Sequence, residues 1–256
     1  MLDVNNIVEW IKEEMSHNGG TKIILGISGG KDSSVVAALC VKALGKENVL
    51  GILMPNGVQK DIEYAKDLVN HLDIDFKIIN IESMVESFKL TLKQDKELNK
   101  LSNQTLVNLP SRVRMVTLYA IAQTLKGCRV ANTSNLSEDW VGYATLYGDT
   151  AGAFSPLGML TSEEVIELGN TLNLPKHLVE KTPEDGLTGK TDEDNFGFSY
   201  SILNKYIRTG ICVDPLIKAK IDKMHKLSRF KFLTIPMFPN LAPMYGDESF
   251  IYPKIN

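Results

Sequence analysis

Short β-branched runs alternating with amphipathic stretches restrict this chain more than any other feature. Lys22–Ser28 (KIILGIS) is closed by Gly29-Gly30, and Asn48–Met54 (NVLGILM) and Asp75–Ile79 (DFKII) repeat the strand signature. Between them, Asp32–Leu44 and Lys60–Leu72 carry apolar residues at helical spacing, the first stopped by Gly45. A βαβαβ order with helical connections predicts parallel strands, hence an α/β fold with an open parallel sheet flanked by helices. A helix over Val4–Met15 precedes this unit. The spacing then predicts a helix over Pro110–Lys126, with Pro110 in its first turn where a missing N–H costs little, and a fourth strand over Cys128–Ala131. Farther on, Ser162–Leu172, Ser199–Ile207 and Pro215–Leu227 read as helices, Glu180–Asn195 as a polar, mobile connection, and the proline-containing end as irregular. The whole, 1–256, reads as a single domain: a core over about 1–160 and a small helical C-terminal appendage over about 161–256.

Charge and cysteine usage remove several function classes. Lys plus Arg number 28 and Asp plus Glu 31, so the net charge is 28 − 31 = −3, which gives no general field for nucleic acid or anionic membranes. Any phosphate site must therefore be local. No stretch approaches the roughly 18 apolar residues of a membrane span, and MLDVNNIVEW carries acids where a secretion signal carries bases, so the expectation is a cytoplasmic protein without nucleic-acid or membrane partners. Cys40, Cys128 and Cys212 are widely spaced and form no CxxC pair, which speaks for core thiols over a disulfide frame or a zinc site. His17, His71, His177 and His225 have no metal-ligand spacing, and Trp10 and Trp140 read as core or interface anchors.

The segment Gly26-Ile27-Ser28-Gly29-Gly30-Lys31-Asp32-Ser33-Ser34 lies between the first strand and its helix. Glycines let successive N–H groups converge on an anion, the helix terminus adds positive potential, and Ser28, Ser33 and Ser34 offer further donors. A GxxxxGK[ST] loop would need Gly at Leu25 and Ser or Thr at Asp32, so this is a different phosphate cradle. A carboxylate inside such a cradle repels phosphate unless a cation lies between them, so Asp32 predicts Mg²⁺. Arg112 and Arg114, read as lying early on their helix, would oppose its dipole and invite an anion. Lys205, Arg208, Lys218, Lys220, Lys223, Lys226, Arg229 and Lys231 form a basic tail, read as a solvated face or as a wall for phosphates.

SGGKDSS after a first strand resembles the pyrophosphate-binding loop of the N-type ATP pyrophosphatases, with their adenine nucleotide alpha hydrolase-like, Rossmann-like fold. Four more segments resemble ammonia-dependent NAD synthetases within that class: 53–61 (LMPNGVQKD), 108–115 (NLPSRVRM), 132–149 (NTSNLSEDWVGYATLYGD) and 181–193 (KTPEDGLTGKTDE), with Gly197 and Tyr200 beyond. The resemblance implies that Ile27, Ser28, Gly29, Gly30, Lys31, Asp32, Ser33 and Ser34 grip ATP, and that Gln59 and Thr133 contact the nucleotide. It implies Asp32 and Glu138 as Mg²⁺ ligands, with Asp32 and Asp149 catalytic. It also implies Arg112, Asp149 and Lys231 as contacts for deamido-NAD, and a symmetric homodimer. Loops after parallel strands gather at one sheet edge, which would bring Glu138 beside the first glycine turn. The implied reaction is ATP-dependent amidation: the nicotinate carboxylate of deamido-NAD is adenylated, pyrophosphate leaves, and ammonia displaces AMP. With about 250 residues taken up by the resemblance, free ammonia is the expected donor.

Several positions depart from the family pattern. Leu146 and Phe230 stand where Lys and His are usual, Ala153 replaces an Asp, Ser162 a Lys, and Glu184 a Ser or Thr, and Lys190, Lys226 or Arg229 could compensate. Ser162 falls on an ATP-binding Lys of the family, but the changes together leave the ATP apparatus largely intact while unsettling the acid's pocket. Two alternatives therefore stay open: a related amide ligase adenylating another acid, and a nucleotide-binding protein without turnover. An RNA-modifying enzyme is disfavoured, because a basic body and paired cysteines are both missing.

Overall fold

The computed structural model describes residues 3–59, 61–180 and 191–236. Helix α1 (Val4–His17) leads into strand β1 (Lys22–Gly26), α2 (Lys31–Leu44), β2 (Val49–Leu53), α3 (Ile62–His71) and β3 (Asp75–Ile78). Two successive helices, α4 (Glu82–Lys93) and α5 (Asn103–Thr124), carry the chain across to β4 (Cys128–Val130). Then come α6 (Leu136–Val141), α7 (Ser162–Thr171), α8 (Lys176–Val179), α9 (Asp192–Phe196), α10 (Tyr200–Thr209) and α11 (Pro215–Ser228).

The strands are parallel in the order β3-β2-β1-β4, with Ile24 opposite Leu50 on one side and Val130 on the other. The expected open parallel α/β sheet is therefore present. The chain builds outward from β1 to β3 and then crosses to the far side of β1. This reversal opens a crevice between the carboxyl ends of β1 and β4, the position at which such sheets bind ligands.

Alternation along the strands divides the core in two. Ile23, Leu25, Val49 and Leu53 face α1, α2, α7 and α8, whereas Ile24, Ile52 and Val130 face α4 and α5. Burial on both sides accounts for the nearly continuous apolar reading of β1 and β2. The α1/α2 layer includes Val165, Leu168, Leu178 and Val179, so its packing runs across residue 160. A smaller cluster of Val141, Phe196, Phe198, Leu203 and Ile221 joins α6, α9, α10 and α11.

Some expected elements need correction. The long helix starts at Asn103 and not at Pro110: Ser102 is its N-cap, accepting the Thr105 N–H at 3.1 Å, and Pro110 sits buried in the helix interior at the cost of one main-chain bond. Arg112 and Arg114 thus lie mid-helix, away from the end where a dipole argument applies. Helix α4, amphipathic with Val85 as its buried residue, goes unannounced in the sequence reading. Of the connection expected over Glu180–Asn195, residues 181–190 lie outside the described residues, and Asp192–Phe196 is helical, opened by a capping box between Thr191 and Asp194. Cys40 and Cys128 are buried as expected, whereas Cys212 is half-buried. If Ser102 opens α5, Ser102→Ala lowers unfolding free energy by about 1 kcal/mol; chemical denaturation measures this, and a neutral result would contradict the cap.

Candidate active site

After β1, Ile27 still pairs with β2 through its N–H to Ile52 O at 2.9 Å, and the chain then turns through Ser28–Gly30 into α2. Gly29 has φ +80°, and a Cβ there would lie 2.7 Å from Ala65 N, so the turn presses against α3 with no room for a side chain. Gly30 is the N-cap and supplies no side-chain hydrogen bond, which leaves first-turn N–H groups of α2 directed at the crevice. The serines brace this turn. Gly30 N–H donates to Ser28 Oγ at 3.2 Å, Ser28 and Ser33 hydroxyls lie 3.0 Å apart, and Ser34 Oγ donates to Gly30 O at 2.8 Å. An anion at this turn would meet the main chain and the helix terminus, with the hydroxyls fixing the turn's shape.

Asp32 is held through both carboxylate oxygens: Lys31 Nζ donates to Oδ2 and Asn135 Nδ2 to Oδ1, each at 2.9 Å. Asn135 also caps α6, its Oδ1 accepting the N–H groups of Ser137 and Glu138 at 3.0 and 3.2 Å. One amide thus fixes the metal-ligand candidate after β1 and orients the helix bearing the candidate after β4. Glu138 lies in the first turn of α6. Burial first, and then the charges of Asp32 and Asp192, push its carboxyl well above the ordinary glutamate range against the pull of Lys31. Lys31 is 5% exposed; burial alone would lower its ammonium, but Asp32, Glu138 and Asp192 hold it above the usual range.

Three carboxylates, Asp32, Glu138 and Asp192, thus act on the buried Lys31 ammonium together. Hard oxygens in that setting fit Mg²⁺. The described residues hold no group of three or more His, Cys, Asp or Glu arranged to ligate a metal, so Asp32 and Glu138 would supply only part of a cation's oxygen shell.

The residues expected to meet the acid converge on the loop after α6. Arg112 Nε donates to Leu146 O at 3.1 Å, and Lys231 Nζ donates to Gly142 O and Ala144 O at 2.8 and 2.9 Å. The Asp149 carboxylate accepts Ser111 Oγ at 2.7 Å and Thr145 N–H at 3.1 Å. Asn132 Nδ2 and Ser134 Oγ both donate to Asp149 O. Arg229 donates to the carbonyls of Asp139 and Trp140, so Arg229 and Lys231 together serve the carbonyl end of α6 and the turn beyond it. Gln59 bonds Asp61 Oδ1 at 3.0 Å, and Thr133 is half-buried beside Asn132, at the carboxyl end of β4.

The departures differ in kind. Ser162 is buried in a network in which its N–H donates to Ser137 Oγ and its Oγ accepts from Asn204 Nδ2, so it closes a seam between helices. The Ala153 N–H bonds Val130 O beside β4, Leu146 lends its carbonyl to Arg112, and Phe230 is exposed. Glu184 and Lys190 lie outside the described residues. The sequence reading missed Asn135, Asp192 and Asp139. The Asp139 carboxyl, with Oδ1 buried and unbonded, is pushed up to about 7 by burial despite Arg229. An Asn after a strand and before a helix is a cap signal that can find Asn135, whereas Asp192 and Asp139 carry no local signal.

A parallel sheet whose first loop presents a helix terminus and a braced carboxylate at the reversal point defines a nucleotide-binding α/β protein. The family model for NAD synthase matches residues 3–236, and the chain belongs to that family. An NH(3)-dependent NAD(+) synthetase from Pyrococcus horikoshii is 43% identical over 208 residues, covering 81% of this chain and 79% of the relative. An NMN synthetase structure from Francisella tularensis overlays with a TM-score of 0.83 at 31% identity, covering 93% of this chain and 97% of that one. An NH3-dependent NAD synthetase structure from Campylobacter jejuni gives 0.74 at 32%, covering 93% of this chain and all of that one, 100%.

The Glu138 environment has a measurable sign. Its pKa is raised on folding, so its cost to stability builds as pH rises from the ordinary glutamate range to the raised value and is complete above it. Without divalent cation or nucleotide, Glu138→Gln therefore stabilises the fold at alkaline pH by about 1 kcal/mol or more and does nothing at pH values below the glutamate range. Denaturation across pH checks this; a variant less stable than the parent at alkaline pH would contradict it.

Proposed function

We propose that this chain makes NAD from deamido-NAD, ATP and ammonia through an adenylated carboxylate. The observation that carries the reading is the uncapped amino end of α2 beside the braced Asp32 and Glu138, at the sheet's reversal point. A carboxylate resists ammonia because its charge repels the nucleophile and oxide leaves poorly; adenylation removes both obstacles. The nicotinate oxygen attacks the α-phosphorus, the bond to the β-phosphate oxygen breaks, and pyrophosphate departs toward the Ser28–Ser34 turn. There the main-chain N–H groups and the α2 terminus stabilise the growing negative charge. Asp32 and Glu138 would hold Mg²⁺, which when bound neutralises charge on the leaving group. Ammonia then attacks the acyl carbon, and AMP leaves to give the amide. Arg112 offers a cation to the acid from mid-helix α5. Asp149, fixed by Ser111 and Thr145, offers an oxygen to the incoming nitrogen, and Lys231 shapes the 142–144 turn of the acid's pocket.

The reading extends to a single-domain chain acting as a symmetric dimer. Phe88 and Leu90 on α4, with Val107, Val116 and Tyr119 on α5, expose apolar surface in support. Light scattering at micromolar concentration tests this, and a monomer would count against it. No helix of the described residues is long and apolar enough to cross a membrane; a cytoplasmic setting is the reading we adopt, supported by three free thiols.

A second reading keeps the chemistry and shortens the acid to nicotinate mononucleotide. The overlay on an NMN synthetase favours it, as do Leu146, Ala153 and Phe230, which offer no charge to a second nucleotide half. Incubating the protein with ATP, magnesium, ammonium and either acid decides. Deamido-NAD should yield amide, AMP and pyrophosphate in equal amounts. Faster amidation of the mononucleotide selects the second reading, and no amide from either acid overturns both.

A further inference from the structure

Helices α9 and α10 approach the phosphate turn at Lys31. The Thr191–Asp194 capping box fixes the start of α9 and turns Asp192 inward, where it is 7% exposed. Glu193 Oε1 accepts the Tyr200 N–H at 2.8 Å, tying the start of α10 to α9. The Tyr200 ring packs edge-on against Phe196 with centroids 5.6 Å apart, and its O–H donates to Asp192 Oδ2 at 3.0 Å. Lys31 Nζ lies 5.9 Å from the centre of that ring while bonding Asp32 Oδ2. The ammonium is thus enclosed by the turn's own carboxylate on one side and by an aspartate–tyrosine pair, distant in sequence, on the other.

Such an arrangement is a poor way to gain stability. Desolvating an ammonium and several carboxylates costs about as much as their attraction returns, and a packed apolar cluster would hold α9 and α10 equally well. Phenylalanine would already satisfy the contact with Phe196. What the hydroxyl adds is a fixed direction for Asp192, a carboxylate whose charge acts on Lys31, a lysine with a flexible four-carbon arm. With that arm fixed, Asp32 keeps its Oδ2 bond and its orientation toward the crevice.

We propose that Asp192 and Tyr200 are positioning residues that hold Lys31 on Asp32 and so set the grip of the phosphate turn on magnesium-bound ATP. The proposal rests on the ATP-using reading above but on none of its acid chemistry. It assigns a task to Lys31 that differs from direct phosphate contact, and it links the small apolar cluster of α6, α9, α10 and α11 to the nucleotide site.

Calorimetric binding of magnesium ATP and of magnesium pyrophosphate tests it, alongside KM values, in the parent, Tyr200→Phe, Asp192→Asn, Lys31→Met and the Tyr200→Phe/Lys31→Met double variant. Tyr200→Phe keeps the ring and should weaken both ligands about fivefold, the usual effect of one hydrogen bond. The KM for ATP should rise accordingly, with the KM for the acid and the thermal midpoint unchanged. In the Lys31→Met background the same change should add nothing, because the residue it acts through is gone. Unaltered binding in Tyr200→Phe overturns the proposal, as does an additive loss in the double variant or a loss that follows thermal stability. A parent protein that binds magnesium ATP yet forms no amide would instead contradict the functional reading, leaving this test readable.

Discussion

Asp32 is gripped through both of its oxygens, and the rest of the site follows from that grip. A carboxylate in a phosphate cradle is electrostatically misplaced by itself; Lys31 and Asn135 hold it there and define where it points. Because Asn135 also caps α6, the bond that fixes Asp32 fixes Glu138 as well. The turns after β1 and β4, more than a hundred residues apart in sequence, become one rigid corner through a single side-chain amide. The fold supplies the setting, since only at the reversal between β1 and β4 do two such turns face one crevice.

The two sides of that corner are built differently. The phosphate side consists of main chain and short, braced side chains, and Gly29 lies so close to α3 that it tolerates no substituent. On the side proposed for the acid, Arg112 and Lys231 donate to carbonyls of the loop after α6, and the Asp149 carboxylate accepts from Ser111 Oγ and the Thr145 N–H. A braced main-chain turn thus lies beside a loop held by side-chain contacts.

Strong periodicity and special backbone made much of this legible in the sequence. The apolar runs of β1 and β2 are buried on both faces, and a Gly-Gly turn between strand and helix has few structural meanings, so the sheet, the turn and Asp32 could be read directly. Pro110 misled because proline is a start signal by preference only; the actual start is the Ser102 cap, seven residues before Leu109. Helix α4 escaped because its buried stripe is thin, with Val85 its one fully enclosed residue. Asp192, Tyr200 and the second oxygen of Asp32 were illegible for a different reason: each matters through a partner that only tertiary packing supplies. Lys31 shows the limit best, since its neighbours in sequence point to phosphate and its neighbours in space are carboxylates.

The central claim is that the Ser28–Ser34 turn captures the departing diphosphate with Asp32 beneath it. Amide hydrogen exchange resolved to single residues, with and without magnesium pyrophosphate, tests this most directly. The account predicts slowed exchange confined to the amides of Gly29–Ser33 and the start of α6, and its loss in Asp32→Asn. Protection appearing elsewhere, with that turn unchanged, would contradict it.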